Sequence, residues 1–264
     1  MITLNDFTAK IIEKYGDRVK NGACCYCGKT LNNGFCDCNG ALKVNRYWMR
    51  AYKKHNEIEN LKLLHSNDDN PNDSVKNYFK ISTPKIFEGM TFEDYKTQTA
   101  DKERVLNAVT AYYNNTCLNY LQGNNLLLLG KPGTGKTMLM SILANFLTQN
   151  CFWVKFINFV DLFEEIKETF NSVGKVSTKA YIDNFKETDF LFIDDLDKKT
   201  TPTDYTKEIL YAVVNYRVEN QLPMVISANS DLKTLDEIFG EVIISRIAQN
   251  AAAVLFTHKN ERLI

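Results

Sequence analysis

Short apolar runs alternate with helical patterns along the chain from about Ile86 onward. The runs predict strands at 125–129, 151–157, 190–193, 224–227 and 252–256. Apolar residues at helical spacing predict the intervening helices at 101–121, 136–149, 160–170, 181–186, 205–219 and 235–248. Since the runs are predominantly apolar and do not alternate with polar residues, both faces of these strands are expected to be covered. The pattern therefore predicts an α/β fold with a five-stranded parallel sheet.

A polar segment divides the chain. Residues 66–74, SNDDNPNDS, are turn-forming and include no apolar residue, which predicts a flexible hinge. A cysteine cluster and a basic helical pattern precede this segment. We therefore expect a small N-terminal module at 1–65, a flexible linker at 66–83 and the α/β domain at 84–264.

The composition is that of an ordinary globular protein and narrows the classes of function. The 264 residues are 44% hydrophobic, and 32 basic side chains balance 32 acidic ones. A net charge of zero excludes a uniformly basic surface for binding nucleic acid. The N-terminus lacks the pattern of a secretory signal, and no apolar run approaches the roughly 18 residues of a spanning helix. We expect a cytoplasmic protein without membrane contact.

A phosphate-binding motif follows the first predicted strand. It fits G-x-x-x-x-G-K-[ST] and consists of Gly130, Lys131, Pro132, Gly133, Thr134, Gly135, Lys136 and Thr137. Glycines let backbone N–H groups turn toward a phosphate, and the N-terminus of the following helix adds partial positive charge. Lys136 would reach the β- and γ-phosphates, and the Thr137 hydroxyl would bind Mg²⁺. The alternative is a glycine-rich turn without a ligand, but the strand–loop–helix context favours a nucleotide site.

Two adjacent carboxylates follow the apolar run at 190–193. Asp194, at the carboxyl end of the predicted strand, could hold Mg²⁺ through water. Asp195 could polarise the attacking water as a general base. The pair could instead cap the next helix. A strand ending in two aspartates after a phosphate loop favours an ATPase over a small-molecule kinase.

Two further candidates lie later in the chain. Asn229 ends the strand predicted at 224–227 and could orient water against a γ-phosphate, although such an Asn is commonly a turn residue. Arg246 lies near the end of the helix predicted at 235–248, where a cation also interacts favourably with the helix dipole. The order of the set, from phosphate loop to final strand, strengthens both assignments.

Most of residues 86–264 resembles the AAA+ ATPases of the DnaC/DnaI family, the bacterial and phage replicative-helicase loaders. The resemblance rests on TFEDY at 91–95, GKPGTGKTML, FLFIDDL, ILYAVVNYRVENQLPMVISAN and FGEVIISRI. It implies an AAA+ P-loop NTPase fold without a helical lid domain. Many AAA+ proteins have Glu at the position of Asp195, so we expect slow, regulated ATP hydrolysis.

The resemblance also implies roles for single residues. Lys136 and Thr137 bind ATP and Mg²⁺, and Asp194 supports the metal. Asp195 is the catalytic carboxylate and Asn229 is the sensor-1 residue. Arg246 is an arginine finger that reaches the ATP of a neighbouring subunit, so the domains are expected to self-associate.

Five of the seven cysteines lie between residues 24 and 38. Four thiolates on two short knuckles can surround a tetrahedral Zn²⁺, and we favour as ligands Cys24, Cys27, Cys36 and Cys38. Cys25 is then the spare, and a redox pair or free thiols is the alternative. The spacing also resembles the N-terminal zinc modules of phage-type helicase loaders. Cys117 and Cys151 lie in apolar patterns and are expected in the core.

Residues 42–54 form a basic helical pattern with interleaved aromatic residues. Three interpretations remain open: a solvated face with Trp48 packed on the zinc module, a nucleic-acid contact, or a docking surface for a partner protein. The resemblance favours docking, because in helicase loaders the N-terminal module grips the hexameric helicase while the ATPase module handles ATP and single-stranded DNA.

Three functions follow from these observations. The first is an ATP-regulated loader of a replicative hexameric DNA helicase. The second is an IstB-like transposition helper ATPase, which shares the ATPase motifs but for which a zinc module is not expected. The third is an adaptor in which ATP is structural and is essentially not hydrolysed.

Overall fold

The computed structural model describes Lys43, Tyr47 and residues 83–150, 152–170, 178–198 and 201–258. The chain divides into two units, Met1–Lys80 with Thr148–Phe152, and Ile81–Leu147 with Trp153–Ile264. In the first unit, the Tyr47 hydroxyl donates to the Asn150 carbonyl at 3.0 Å, and the Tyr47 and Phe152 ring centroids are 4.8 Å apart. The predicted zinc ligands and the linker at 66–74 lie outside the described residues.

The described part of the second unit opens with two short 3₁₀ turns, Lys85–Phe87 and Phe92–Asp94. The helices and strands that follow are α1 (Ala100–Asn114), α2 (Thr116–Gln122), β1 (Asn125–Gly130), α3 (Lys136–Gln149), β2 (Val154–Asn158), α4 (Phe159–Phe170), α5 (Thr178–Glu187), β3 (Phe190–Asp194), α6 (Asp204–Glu219), β4 (Met224–Ala228), α7 (Leu232–Phe239), α8 (Glu241–Ala248) and β5 (Ala251–Phe256). None of the helices in the described part of the chain is long and apolar enough to cross a membrane.

The strands form a parallel sheet in the order β2-β3-β4-β1-β5. Leu127 of β1 lies opposite Ile226 of β4 on one side and Ala253 of β5 on the other. Because all the strands run in one direction, their carboxyl ends lie along one edge of the sheet. The predicted five-stranded parallel sheet is confirmed, and the strand that leads into the phosphate loop, β1, lies between β4 and β5.

Side chains alternate between the two faces of the sheet, as strand geometry requires. On one face, Leu127, Ile193 and Ile226 belong to a buried cluster with apolar residues of α4, α5, α6, α7 and α8. The alternate residues Leu126 and Phe192 are also buried, which shows that the second face is covered as well. Burial on both faces thus explains the apolar runs of β1, β3 and β4. The expectation is wrong for β5, an edge strand in which Ala252, Ala253 and Leu255 are exposed.

Two buried polar side chains fasten the helices to the sheet. The Asn125 amide donates to the carbonyls of Ile247 and Gln249 at 3.0 and 3.1 Å and accepts from the Met224 N–H at 2.8 Å. The guanidinium of Arg217 in α6 is fully buried, and its terminal nitrogens donate to five backbone carbonyls, those of Phe185, Lys186, Thr188, Asp189 and Pro223. Burying either polar side chain without these hydrogen-bond acceptors would be strongly unfavourable. Both side chains therefore hold the ends of neighbouring helices, which supply several of these carbonyls, in place against the sheet.

Two helices that were predicted as continuous are each broken in the structure. The helix predicted at 101–121 is interrupted at Asn115, whose side chain donates to the Ala111 carbonyl at 2.9 Å. The helix predicted at 235–248 is broken at Gly240, where φ is 91°. Only glycine adopts this conformation readily, so the chain turns at Gly240 although the apolar residues keep helical spacing on both sides of it. The strand predicted at 151–157 begins at Val154.

Candidate active site

The phosphate loop, Asp194 and Asn229 lie at the carboxyl edge of the sheet. The loop joins β1 to α3, Asp194 ends β3, and Asn229 directly follows β4. These three strands are neighbours in the order β3-β4-β1. Residues far apart in the sequence therefore meet because of the strand order.

The conformation of the loop depends on its glycines. Gly133 and Gly135 have φ values of 77° and 85°, a region that side chains with a Cβ rarely adopt. A Cβ on Gly135 would lie 2.9 Å from the Tyr95 ring. A Cβ on Gly130 would lie 2.3 Å from the carbonyl oxygen of Phe256 in β5. The backbone conformation and the close neighbours thus both require glycine at these positions. The loop leaves a concave space lined by backbone N–H groups, which fits a phosphate group.

Lys136 is almost completely buried, with 4% of its surface exposed. Its ammonium donates to the carbonyl oxygens of Gly130 and Lys131 at 2.5 and 2.9 Å. It also donates to Oδ1 of Asn229 at 2.9 Å. The structure therefore brings together Lys136, which is predicted to reach the phosphates, and Asn229, which is predicted to orient water against the γ-phosphate.

Thr137 and Asp194 form the predicted metal pair. The Thr137 hydroxyl donates to Asp194 Oδ1 at 3.2 Å, and the Ser227 hydroxyl donates to the same oxygen at 2.5 Å. Burial, together with the nearby charge of Asp195, raises the pKa of Asp194, whereas the hydrogen bonds from Ser227 and Thr137 lower it. A hydroxyl and a carboxylate oxygen are ligands that suit Mg²⁺.

Protein ligands alone would not complete such a metal site. Among the described residues, no group of three or more His, Cys, Asp and Glu side chains could hold a metal ion. Mg²⁺ in nucleotide sites is held by one or two protein oxygens together with substrate phosphates and water. The pair Thr137 and Asp194 fits that arrangement, in which the nucleotide supplies the remaining ligands.

Asp195 has a left-handed backbone, with φ of 53°. Its N–H donates to the Ser227 hydroxyl at 2.8 Å. Its half-buried carboxylate receives no hydrogen bond from the described residues. Such a backbone costs roughly 1–3 kcal/mol and is found mainly at functional sites. A carboxylate without a hydrogen bond next to the metal pair can accept a proton from water.

Asp197 is a residue of the site that sequence reasoning missed. Its buried carboxylate accepts the N–H groups of Asn229 and Ser230 at 2.9 and 2.7 Å. The Asn229 side-chain nitrogen also lies 3.3 Å from Asp197 Oδ1. Asp197 thus orients the amide of Asn229 so that its oxygen faces Lys136. A third acidic residue in the run DDLD was the available signal.

Ser227 and His258 were missed as well. Ser227 is a polar residue within an otherwise apolar strand, which was a detectable signal. His258 lies beyond β5, and its Nε2 is 2.8 Å from the carbonyl oxygen of Thr134 in the phosphate loop. No local pattern around His258 indicates this contact.

Arg246 lies on α8, with its guanidinium 5.7 Å from the centre of the Tyr211 ring. Together with neighbouring side chains of the same helix it lines an open depression. Among the contacts of the described residues, none joins Arg246 to the phosphate loop. Within one chain, the structure therefore assembles the predicted site without Arg246.

The strand order, the phosphate loop after β1 and the carboxylate at the end of β3, with β4 between these two strands, define a P-loop NTPase of the AAA+ class. Residues 56–259 match the family described as IstB-like ATP binding protein, and the chain belongs to this family. The resemblance to DnaC/DnaI-type AAA+ ATPases is confirmed by this match and by the relatives described next.

Similar proteins include XkdC, a phage-like element PBSX protein of Bacillus subtilis (strain 168), which is 37% identical over 125 residues. That alignment covers 44% of this chain and 45% of XkdC. The replicative helicase loader DnaC of Buchnera aphidicola subsp. Baizongia pistaciae (strain Bp) is 28% identical over 163 residues, 62% of this chain and 65% of that protein. The chain thus spans less than two thirds of either relative.

The solved structures confirm the fold. A crystal structure of the DnaC helicase loader matches with a TM-score of 0.58 at 21% identity. The match covers 66% of this chain and 100% of that chain.

Proposed function

We propose that this protein is an ATP-dependent loader of a replicative hexameric DNA helicase. The observation that carries the proposal is the joint placement of Lys136, Asn229, Thr137 and Asp194 at one edge of the sheet. The similarity to proteins named as replicative helicase loaders gives that ATP site its biological context.

The ATP site would operate through charge and position. Lys136 binds the β- and γ-phosphates, exchanging at least one of its present acceptors for a phosphate oxygen. Thr137 and Asp194 would hold Mg²⁺, which neutralises phosphate charge when it is bound. Asp195 accepts the proton of the attacking water, and Asn229 orients that water against the γ-phosphate.

Asp195 has one methylene group fewer than the glutamate common in AAA+ proteins. The carboxylate therefore reaches less far toward the water, and hydrolysis is slow. Slow hydrolysis suits a switch, in which bound ATP maintains one assembly and hydrolysis ends it.

Arg246 completes the site from a neighbouring subunit. A second cation at the γ-phosphate acts mainly on charge that develops during phosphoryl transfer. Its position on α8, where no contact among the described residues joins it to the loop of its own chain, supports action in trans. ATP-dependent self-association would then be required for hydrolysis.

The N-terminal part would supply the partner contact. We assign helicase docking to residues 1–65, with Zn²⁺ held by Cys24, Cys27, Cys36 and Cys38, and single-stranded DNA binding to the ATPase domain at 84–264. The basic aromatic pattern at 42–54 supports a docking surface. A linker at 66–83 would allow the two functions to operate separately.

The test is a loading assay with the full chain, a candidate replicative helicase and circular single-stranded DNA. We expect the helicase to co-purify with the full chain and with residues 1–65, and to reach the circle only with ATP. The Lys136→Ala variant is the control that retains docking and loses loading.

Other outcomes would support the alternatives. Capture of the helicase by residues 80–264 but not by residues 1–65 contradicts the division of labour. Stimulation of a transposase without helicase binding would support the IstB-like transposition ATPase. Loading at a normal rate without measurable ATP hydrolysis, with or without single-stranded DNA, would support the adaptor.

A further inference from the structure

His258 contacts the phosphate loop from the segment that follows β5. Its side chain is 6% exposed. Nδ1 lies 2.8 Å from Oδ2 of Asp101 in α1, and Nε2 lies 2.8 Å from the carbonyl oxygen of Thr134. Both neighbouring oxygens are hydrogen-bond acceptors. The imidazole therefore bridges α1 and the phosphate loop, and both of its nitrogens face acceptors.

This geometry selects one protonation state of His258. A neutral imidazole carries one N–H, so either tautomer would place a nitrogen lone pair against an oxygen at hydrogen-bond distance. The imidazolium form has two N–H groups and satisfies both contacts. In that form the contact between Nδ1 and Asp101 is a charge-assisted hydrogen bond.

Asp101 is a suitable counter-ion. Burial raises its pKa, but hydrogen bonds from Arg104, His258 and Thr257 outweigh burial and hold the pKa of Asp101 well below its usual range. Oδ2 of Asp101 accepts the N–H groups of Thr257 and His258 at 3.1 and 3.0 Å, and Oδ1 lies 2.5 Å from Arg104. Asp101 is thus an anion that holds both the backbone and the ring of His258.

The other ionisable groups nearby do not compete for the imidazole. Arg104 is bound to Asp101 and to the Leu255 carbonyl. Tyr95 packs against Gly135, and burial, together with the charge of Asp101, raises the pKa of Tyr95 to about 12, so its hydroxyl stays neutral. The Lys102 ammonium lies 6.0 Å from the centre of the Tyr95 ring. On the loop side, His258 faces the Thr134 carbonyl.

The contact between His258 and the Thr134 carbonyl affects the N–H of Gly135, the group that would donate to a nucleotide phosphate. The carbonyl of Thr134 and the N–H of Gly135 belong to one planar trans peptide and point in opposite directions. A hydrogen bond donated to the carbonyl therefore fixes the direction of the N–H. Donation from a cation also polarises the peptide, which strengthens the N–H as a donor to an anion.

We propose that His258, held in place by Asp101, is a positioning residue that fixes and polarises the Thr134–Gly135 peptide for nucleotide phosphates. The inference rests on the proposed ATP site and adds to it a residue that does not itself touch ATP. Its effect is on nucleotide affinity, because the Gly135 N–H contacts phosphate in the bound ground state as well as during hydrolysis.

The test compares His258→Gln with the same substitution at His65, in the N-terminal part of the chain. Calorimetry of the full-length variants measures their affinities for ADP and for an ATP analogue. We expect His258→Gln to weaken binding about tenfold, as for loss of one charge-assisted hydrogen bond. The kcat at saturating ATP should change little, and His65→Gln should match the wild type.

A second variant separates positioning from general structure. Asp101→Asn removes the carboxylate that holds the ring, so it should weaken nucleotide binding in the same direction as His258→Gln, with little change in kcat. A fall in kcat at saturating ATP in His258→Gln, or equal affinities in His258→Gln and wild type, would overturn the proposal.

A measurement on the wild type guards against a variant that does not fold. Nitrogen NMR of the His258 ring should show a proton on Nε2, the nitrogen that faces the Thr134 carbonyl, and an unprotonated Nε2 overturns the inference. Failure of the proposed function is a separate result. In that case the wild type does not bind ATP, or Lys136→Ala binds it equally well.

Discussion

The ammonium of Lys136 and the amide oxygen of Asn229 lie 2.9 Å apart and join the phosphate loop to the end of β4. With the carbonyls of Gly130 and Lys131, they give each of the three Lys136 protons an acceptor. A phosphate must therefore displace at least one of these bonds. Nucleotide binding at this site is an exchange of acceptors, in which an anion replaces a neutral oxygen.

Replacing Lys136 with Ala removes the ammonium group that would bind the phosphate. We expect ATP affinity to fall by at least an order of magnitude, since a charge-assisted contact with phosphate is lost. Calorimetry with ATP measures the change. The exposed Lys233 supplies the control, because Lys233→Ala removes an equal charge away from the loop. Unchanged ATP affinity in Lys136→Ala would show that the loop is not the nucleotide site.

Replacing Asp197 with Ala leaves the N–H groups of Asn229 and Ser230 without their acceptor. We expect the free energy of unfolding to fall by about 2 kcal/mol, with a smaller loss for Asp197→Asn, which keeps an oxygen acceptor. Urea denaturation measures both. The kcat should also fall, because the Asn229 amide is no longer oriented. Glu237→Ala, at an exposed carboxylate of α7, is the matched control. Equal stabilities of all three variants would contradict this account.

Replacing Arg246 with Ala tests the action of one subunit on another. ATP binding by the isolated chain should be nearly intact, because Arg246 makes no contact with its own loop among the described residues. ATP hydrolysis and any ATP-dependent oligomer on single-stranded DNA should be mostly lost. A helix-terminal cation without a catalytic role would instead give only a stability loss of roughly 0.3–1 kcal/mol.

Mixing Arg246→Ala with Lys136→Ala makes the test decisive. Each variant alone lacks one half of every shared site, whereas mixed neighbours can combine an intact loop with an intact arginine. We expect ATPase activity to recover on mixing. If both variants fold and associate but activity stays absent, Arg246 does not act in trans.

The cysteine cluster predicts a metal content. We expect about one Zn²⁺ per chain, because four thiolates complete a tetrahedral site. Elemental analysis of the purified protein measures it, and serine variants of the four ligands should lose the metal. Cys117→Ser is the control, since Cys117 is buried in α2. Removal of zinc should unfold the N-terminal module and leave ATP binding unchanged. Protein without zinc, or with iron instead, contradicts the assignment.

Motifs that operate locally could be recognised in the sequence. A phosphate loop is built from consecutive residues, so its spacing alone predicted roles for Lys136 and Thr137, and the apolar runs predicted the strands of the sheet. The strand order could not be predicted, because it depends on contacts between distant segments. That order brings Asn229 to Lys136.

The missed residues divide into two kinds. Ser227 and Asp197 left signals, a polar residue in an apolar strand and an additional carboxylate after β3. His258 left none, since its partner Asp101 is 157 positions away. The break at Gly240 was visible as a glycine, but helical periodicity continues on both sides of it and predicted one helix.

The position of Gly130 against β5 affects which residues related sequences would retain during evolution. Its Cβ position is blocked by the backbone of Phe256, at 2.3 Å. The first glycine of the motif is thus required by the neighbouring strand and not only by the phosphate. A descendant that had lost all nucleotide binding would still be selected to keep glycine here, while Lys136 would be free to drift. In such lineages, the lysine rather than the first glycine would record whether ATP is still bound.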